Sequence, residues 1–264
     1  MRFLLALVLL AASTGCNDPE IHSNALEEHE PNDGTSATEH ETATLAEQWL
    51  GAIGTAGDVD VYFVDVAPGQ RLVARLALGT GSELQPLLTV MDAGRGGKAA
   101  GGDYVKLATG DVQWVSMGQG GYYVIVRDVR NVGSSTTAGS PQHTYSLIIE
   151  AATPPVVTLH GSDTGYDVLG SAGAIQLYEL DAGSGGGDLL FDVKREIATG
   201  KLDARVIVYS LTEEDWVARQ DDRSGSSVDP LVDAPIGGGL HWLVVENVEP
   251  TATAFGFEYA LTFQ

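Results

Sequence analysis

The sequence VDVYFVDVAPGQRLVARLAL, residues 59–78, decides the fold of this chain. Residues 59–66 are rich in β-branched and aromatic side chains, which favour a strand. From Leu72 to Leu78 apolar residues recur at every second position, so one face of this segment is apolar. Between the two segments, Ala67-Pro68-Gly69-Gln70 is typical of a β-turn with proline at its second position. The stretch therefore predicts two strands joined by a tight turn.

Similar strand-like segments occur along the rest of the chain. They follow at 86–91, 122–126 and 145–149, and clusters of the 33 glycines separate them. After the apolar N-terminus no ten-residue segment has the periodicity of an amphipathic helix, and residues 45–50 allow one helical turn at most. Hydrophobic residues make up 44% of the 264, which is enough to form cores. Short strands separated by turns predict an all-β protein built as an antiparallel β-sandwich.

The C-terminal half of the sequence repeats the pattern of the N-terminal half. Thr153-Pro154-Pro155 predicts a stiff, extended connector between them. Four segments after it resemble, in the same order, four segments before it: 174–181, 202–209, 237–248 and 259–262 correspond to 60–67, 84–91, 118–129 and 145–148. This order predicts two tandem copies of one module, at residues 27–151 and 156–264.

The first residues are typical of an exported protein. Arg2 precedes an apolar run from Phe3 to Ala12 that is too short to span a bilayer, so residues 1–15 are predicted to be a signal peptide. The small residues before Cys16, the only cysteine, resemble the lipobox of bacterial lipoproteins, although Ser13 stands where that motif usually has leucine. The resemblance implies a lipid on Cys16 that anchors the protein to a membrane through a tether over 16–26. The alternative is an ordinary signal peptide with an incidental cysteine.

Charge and cysteine content restrict the classes of partner. The chain carries 36 acidic and 14 basic residues, a net charge of −22. Such a surface repels nucleic acid, so we expect no nucleic-acid partner, whereas it suits divalent cations. With a single cysteine no intrachain disulfide can form, so packing or a bound metal must hold an exported fold together. We expect an exported location, at the bacterial outer membrane or the cell surface.

An acidic stretch precedes the first strands and contains the best candidate ligands. It reads Glu28-His29-Glu30-Pro31-Asn32-Asp33. Pro31 favours an extended conformation at Glu30, and alternate residues of an extended segment point the same way. Glu28, Glu30 and Asn32 can therefore converge, with Asp33 following at a turn. Carboxylate and amide oxygens in such a cluster suit calcium. The alternative is a solvated acidic linker.

An ordered set of motifs in residues 27–151 resembles the bacterial pre-peptidase C-terminal domain and, more loosely, the collagen-binding domains of clostridial collagenases. The set begins with Glu30-Pro31-Asn32-Asp33 and continues with residues 57–63, 67–72, 121–126 and 145–147. The second module keeps only the hydrophobic pattern and is interpreted as a divergent copy. The resemblance implies a jelly-roll-like β-sandwich in each module.

The resemblance also implies a calcium site at the entrance to the first module. Family members that bind calcium use a Glu-x-Glu-x-Asn-Asp run together with acids from the loop before the first core strand. Asp60 matches one of these acids. Gly57 stands where a second acid is expected, so either Asp58 replaces it or the site is weaker. In the second module Asp163 and Asp167 are too few to predict a site. The predicted ligands are Glu28, Glu30, Asn32, Asp33, Asp58 and Asp60.

No catalytic motif is recognised in the sequence. It contains neither Gly-x-Ser-x-Gly nor His-Glu-x-x-His, and its six histidines are scattered. We therefore expect a non-catalytic surface lipoprotein whose modules serve a binding or structural role, with an extracellular protein or polysaccharide as partner. The alternative is a carbohydrate- or matrix-polymer-binding module. Trp216 and Trp242 could stack on sugar rings, although packing in a core is the commoner role of such residues.

Overall fold

The fold is described by a computed structural model, which covers residues 24–34, 39–93, 105–117, 120–133, 137–152, 156–195, 203–221, 229–251 and 255–264. Within these ranges 19 strands form four sheets, and Val129–Asn131 form a short 3-10 helix. The predicted all-β sandwich architecture is therefore confirmed. The predictions made for the signal peptide, Cys16, most of the tether and the connector Thr153-Pro154-Pro155 lie outside the described residues.

The N-terminal half (residues 24–152) consists of two five-stranded sheets, ordered β1-β3-β10-β5-β8 and β2-β4-β9-β6-β7. All pairs are antiparallel except β1 with β3 and β2 with β4. The strands are β1 (Leu26–Glu27), β2 (Glu41–Ala43), β3 (Gln48–Ala52), β4 (Val59–Val66), β5 (Arg71–Leu78), β6 (Pro86–Asp92), β7 (Val105–Ala108), β8 (Val112–Val115), β9 (Gly120–Asp128) and β10 (Thr144–Ala152).

The C-terminal half (residues 156–264) also consists of two sheets, ordered β11-β13-β18-β15-β16 and β12-β19-β14-β17. Only β11 with β13 is parallel. The strands are β11 (Val156–Leu159), β12 (Thr164–Leu169), β13 (Ile175–Asp181), β14 (Gly187–Arg195), β15 (Ala204–Ser210), β16 (Asp215–Gln220), β17 (Leu231–Ile236), β18 (Leu240–Asn247) and β19 (Phe255–Phe263).

The two halves share one topology. Strands β2-β4-β9-β6-β7 correspond in order and direction to β11-β13-β18-β15-β16, and β3-β10-β5-β8 correspond to β12-β19-β14-β17. No sheet of the described residues contains strands from both halves. Strand β1 is the difference, because β12 is an edge strand of its sheet whereas β3 is covered by β1.

The segment that decides the fold forms β4 and β5, with the predicted boundaries. These strands belong to different sheets, so the turn between them carries the chain from one layer of the sandwich to the other. Gly69 takes φ 73° there, a value that glycine adopts without strain, and its N–H donates to Ser116 O at 2.8 Å. The helical turn allowed at residues 45–50 is absent, because β3 forms from Gln48 onward and Trp49 is buried in the core.

The hydrophobic core of the N-terminal half continues into the C-terminal half. One cluster joins Leu72, Trp114 and Val124 with Tyr209 and Trp242, which lie on β15 and β18. A second cluster lies between the two sheets of the C-terminal half, around Phe191 and Phe257. The two halves therefore bury apolar surface against each other as well as within each sandwich.

A buried ion pair network lies at the contact between the halves. Lys106 on β7 and Glu246 on β18 are fully buried, and Lys106 Nζ lies 3.1 Å from Glu246 Oε2. Lys106 Nζ also donates to Gln113 O at 3.0 Å and Ala174 O at 3.1 Å, and Arg205 Nε donates to Glu246 Oε1 at 2.6 Å. Each charge thus has a partner of opposite sign, which a buried ion needs.

Candidate metal centre

The acidic stretch is attached to both sheets of the N-terminal half. After β1, Glu28 N donates to Leu50 O at 3.1 Å, so that Glu28 lies beside β3. The chain then crosses to β4, where Val61 N donates to Asn32 O at 2.9 Å. The Glu30–Pro31 peptide is cis. These contacts place the acidic stretch against the start of β4, where Asp58 and Asp60 lie. We call the six predicted ligands together the acidic centre.

Asp60 forms the floor of the acidic centre and is completely buried. Its Oδ2 accepts a hydrogen bond from the hydroxyl of Tyr145 on β10. Glu28 Oε2 accepts from the Tyr62 hydroxyl at 3.2 Å and from the Tyr145 hydroxyl at 3.3 Å, and Glu28 Oε1 accepts from Ala52 N at 2.6 Å. The two tyrosines therefore orient Glu28 and Asp60 toward each other from within the core.

The carboxylates form two groups that share Glu30. In each group one oxygen per residue lies within 4.8 Å of the others: Glu28 with Glu30 and Asp60, and Glu30 with Asp33 and Asp58. Glu30 and Asp33 are exposed, whereas Glu28 and Asp58 are partly buried. Asp58 Oδ1 accepts from Val59 N at 2.9 Å, so the second group is also attached to the start of β4.

The buried amide of Asn32 lies among the carboxylates of the acidic centre. Asn32 is 1% exposed, and in the amide orientation that satisfies its neighbours Nδ2 donates to Asp60 Oδ1 at 3.1 Å and to Glu30 Oε2 at 3.2 Å. These hydrogen bonds stabilise the carboxylates without a metal. The amide also carries an oxygen, so the same side chain can present a ligand atom to a cation by turning over.

Burial and like charges raise the pKa values of the acidic centre. Burial raises the pKa of Asp60 to about 9, and the charge of Glu28 acts in the same direction. Burial also raises the pKa values of Glu28, Glu30 and Asp33, and Asp58 adds to the increase at Glu30 and Asp33. These directions are expected where carboxylates converge away from water without a cation.

The donor set matches a hard cation. All candidate ligand atoms are carboxylate or amide oxygens, which calcium and magnesium prefer over nitrogen or sulfur. In the described part of the chain no lysine or arginine forms an ion pair with these carboxylates. Five carboxylates and one amide can supply the six to eight oxygens that calcium takes, with water completing the shell, whereas magnesium demands stricter octahedral geometry.

The structure brings together all six residues predicted as ligands. The sequence did not indicate Tyr62 and Tyr145, which hold the carboxylates, because hydrogen bonds across 34 and 117 residues leave no local signal. Gly51 was missed as well. A Cβ there would lie 2.5 Å from Tyr145 Cζ and 2.5 Å from Glu28 Oε2, so glycine is needed for these side chains to pass over β3.

The C-terminal half keeps the tyrosines of this arrangement without its acids. Tyr178 and Tyr259 lie at the positions of Tyr62 and Tyr145, with ring centroids 4.8 Å apart. Gln176 occupies the position of Asp60, since both precede the tyrosine by two residues on the equivalent strand. Asp167 accepts from the Tyr178 hydroxyl at 3.2 Å. Among the described residues of this half, no three acidic or histidine side chains lie close enough together to hold a metal ion.

Comparisons with known proteins give only distant structural likenesses. No family model and no curated protein matches the chain. Similar solved structures include the pre-peptidase C-terminal domain of a Bacillus anthracis collagenase (10% identity, TM-score 0.34, 43% of this chain and 98% of that one). They also include PliG of Salmonella Typhimurium, a periplasmic inhibitor of g-type lysozyme (13% identity, TM-score 0.29, 41% and 98%). Identities and TM-scores this low support no inference about function.

A putative secreted protein from Eubacterium rectale is similar over more of the chain, at 12% identity and a TM-score of 0.27, covering 88% of this chain and 81% of that one. It too supports no inference about function. Among the described residues, none lies in a helix of the length and apolarity that crossing a membrane requires.

Proposed function

We propose that this chain is a non-catalytic, exported lipoprotein whose first sandwich is held together by calcium and whose surface serves a binding or structural role. The observation that carries the calcium assignment is the convergence of carboxylates on the completely buried Asp60, with no lysine or arginine of the described residues paired to them. Exposed acidic groups alone are common without a metal. A buried carboxylate grouped with others is unfavourable unless a cation or a proton neutralises it.

Calcium would act as a bridge between segments that are distant in sequence. Glu28 belongs to the segment attached to β3, and Asp58 and Asp60 belong to the start of β4. A cation held by both opposes their separation, and it cancels the repulsion among the carboxylates. A ligand that binds only the folded state adds about 2.7 kcal/mol of stability at a hundred times its dissociation constant.

Export and lipid attachment are supported by the sequence. The apolar run Phe3 to Ala12 precedes small residues and Cys16, as in bacterial lipoproteins. Calcium is abundant outside cells, so a calcium-stabilised domain suits a protein with no second cysteine for a disulfide. We place the anchored protein at the bacterial outer membrane or cell surface.

The non-catalytic assignment rests on the roles of the acidic residues that the structure describes. The convergent carboxylates of the acidic centre are suited to holding a cation, with Asp60 at its buried floor. Among the histidines that the structure describes, His241 is buried, and its Nδ1 lies 3.1 Å from Gly239 O, which is a structural contact. A polysaccharide-binding role is the second candidate, and it is supported by an exposed aromatic side chain in the C-terminal half, considered below.

Terbium luminescence tests the calcium assignment directly. Terbium replaces calcium at oxygen sites, and Tyr62 and Tyr145 lie next to the ligands, so we expect tyrosine-sensitised emission that calcium displaces. Asp60→Asn should abolish the emission, whereas Asp65→Asn, an exposed position on the same strand, should leave it unchanged. Emission that persists in Asp60→Asn, or is insensitive to calcium, would contradict the assignment.

A further inference from the structure

The same hollow occurs on the outer face of one sheet in each half. The N-terminal hollow (about 380 Å³) lies beside Gly51 and Tyr145, and the C-terminal hollow (about 480 Å³) lies beside Gly165 and Tyr259. The positions are equivalent because Gly51 pairs with Tyr145 and Gly165 pairs with Tyr259 on corresponding strands. In both halves the glycine makes room for the tyrosine ring, since a Cβ on Gly165 would lie 2.5 Å from the Tyr259 hydroxyl.

The side chains around the two hollows differ in chemistry. In the N-terminal hollow the positions facing outward on β3, β10 and β5 carry Ala52, Thr144, Gly79, Leu50, Ser146 and Ala77. The equivalent positions on β12, β19 and β14 carry Tyr166, Glu258, Lys194, Thr164, Ala260 and Asp192. Glu27 and Glu28 also line the N-terminal hollow. The fold thus accepts uncharged residues at the six equivalent positions, so its packing does not require the tyrosine and three charged residues of the C-terminal hollow.

The pairing register arranges these side chains around a small residue. Tyr166, Glu258 and Lys194 form one row across three strands, and Thr164, Ala260 and Asp192 form the next. Ala260 lies in the middle of its row, so a small side chain separates Thr164 from Asp192. Neighbouring strands lie about 4.8 Å apart, which puts the Tyr166 strand about 10 Å from the strand of Lys194 and Asp192.

Tyr166 is 55% exposed, the largest exposure of a large hydrophobic side chain in the described residues. Trp216 and Trp242, the residues that the sequence suggested for sugar stacking, are 5% and 9% exposed and belong to the core. On the opposite side of the hollow, Lys194 Nζ lies 3.2 Å from Asp192 Oδ2, with 56% of the lysine side chain exposed. An exposed aromatic ring therefore faces a pair of charged hydrogen-bonding groups across a shallow depression.

We propose that the C-terminal hollow is a binding site for a neutral oligosaccharide of pyranose units. The face of a pyranose ring is apolar and can lie on Tyr166, while its hydroxyl groups can donate to Asp192 and Glu258 and accept from Lys194. The width of about 10 Å fits one or two sugar units. A net charge of −22 disfavours polyanionic glycans.

An extended peptide pairing with the edge of β12 is the competing occupant. In the N-terminal half the equivalent edge is covered by β1. On β12, however, the N–H of Val168 donates to Asp167 Oδ1 at 2.8 Å, and the carboxylate thereby opposes a further strand. The saccharide is favoured because it uses the side chains of the hollow and not the strand edge.

Isothermal titration calorimetry on the full chain tests this site with cellohexaose, chitohexaose, xylohexaose and maltohexaose. We expect at least one to bind, and Tyr166→Ala to weaken that binding by about tenfold or more, since removing an aromatic contact at a binding hot spot costs at least about 1.4 kcal/mol. Tyr166→Phe keeps the ring and should bind within about threefold of the parent. Ala260→Leu fills the hollow and should abolish binding.

Ala77→Ser, at the position equivalent to Asp192 in the N-terminal hollow, is the matched control and should leave the affinity unchanged. The proposal is overturned if no hexasaccharide binds, if binding survives both Tyr166→Ala and Ala260→Leu, or if Ala77→Ser weakens it equally. If an extended peptide binds and none of the hexasaccharides displaces it, the edge of β12 is the binding site and the hollow is not. No residue of the acidic centre lines the C-terminal hollow. The calcium proposal therefore stands if no sugar binds, and the sugar proposal stands if no calcium binds.

Discussion

Single residues determine whether the acidic centre can form. Gly51 is the clearest case, because any side chain there would displace Tyr145 and Glu28. The Tyr145 hydroxyl lies within hydrogen-bond distance of both Glu28 and Asp60, and it can do so only because Gly51 leaves room for the ring. The metal-binding geometry therefore depends on a residue that contributes no ligand atom.

Gly51→Ala should lower the free energy of unfolding by about 1–3 kcal/mol, because the added methyl group overpacks a rigid site. It should also reduce the stabilisation by calcium, since Glu28 must move. Gly165→Ala should show a similar cost with no effect on calcium, because the C-terminal half lacks the acids. Urea denaturation with and without calcium measures both.

Gly110→Ala is the control for these variants, since a Cβ at Gly110 meets no atom within 4 Å. Its stability should stay within about 0.5 kcal/mol of the parent. If Gly51→Ala behaves like Gly110→Ala, the close approach of Tyr145 and Glu28 over β3 is not required.

Lys106 and Glu246 form a buried pair whose members depend on each other. Glu246→Gln removes the carboxylate charge that Lys106 and Arg205 share, and it should cost about 3–5 kcal/mol in the free energy of unfolding. Lys194→Met, which removes the exposed ion pair with Asp192, should cost less than about 1 kcal/mol. Chemical denaturation measures the free energy of unfolding of both variants. Equal losses would show that the buried network contributes no more to stability than the exposed ion pair.

The pH dependence of Glu246→Gln provides a second readout. Burial alone would raise the pKa of Glu246, but Arg205 and Lys106 outweigh it and lower the pKa below its ordinary value of 4.5. A lowered folded pKa gives stability that is present above pH 4.5 and lost as the pH falls through the folded value. The difference in stability between parent and variant should therefore be largest near neutral pH and shrink in acid.

At the scale of elements, calcium should act on the strands that the acidic centre joins. With calcium, we expect slower hydrogen exchange in residues 26–33 and at the start of β4, because separation of these segments requires release of the metal. Residues 164–180, the equivalent region of the C-terminal half, should show no change. Hydrogen exchange with mass spectrometry measures both regions in one experiment, and equal protection in both would argue against a local bridge.

The sequence predicts the long strands well and the short ones poorly. The β-branched and aromatic residues of 59–66 and the apolar alternation from Leu72 to Leu78 predicted two strands, and β4 and β5 form there. Strand β1 has two exposed residues, and β12 alternates exposed with partly buried ones, so neither has a distinctive pattern. The candidate ligands from Glu28 to Asp33 were predictable because they lie close in sequence, whereas Asp58 and Asp60 were indicated only by the family resemblance. Gly51, Tyr62 and Tyr145 meet them only through strand pairing.

The whole molecule is stabilised by a contact between its halves that the repeat pattern did not indicate. Tyr209 and Trp242 of the C-terminal half belong to the core cluster of the N-terminal half, and the Lys106–Glu246 pair is buried at the same contact. The pattern of two similar modules equally allowed two independent domains. The outcome depends on apolar residues such as Ile207, a residue of the C-terminal half that belongs to the cluster shared with the N-terminal half.

Because the halves share a core, we expect thermal unfolding in a single cooperative transition. Differential scanning calorimetry should give one peak, with the calorimetric enthalpy equal to the van't Hoff enthalpy. Two separate peaks, or an enthalpy ratio well above one, would show that the contact between the halves is too weak to couple them.

The most direct test of the account is a thermal melt of the full chain in calcium and in chelator, repeated on Asp60→Asn. Calcium at about a hundred times its dissociation constant should raise the midpoint of the parent by about 5–10 °C. Asp60→Asn should show no such shift, and in chelator it should melt no lower than the parent, since the raised pKa of Asp60 keeps that buried carboxyl protonated without a metal and the amide is a neutral group of the same shape. A parent melt that is the same in calcium and in chelator would show that the acidic stretch is a solvated linker.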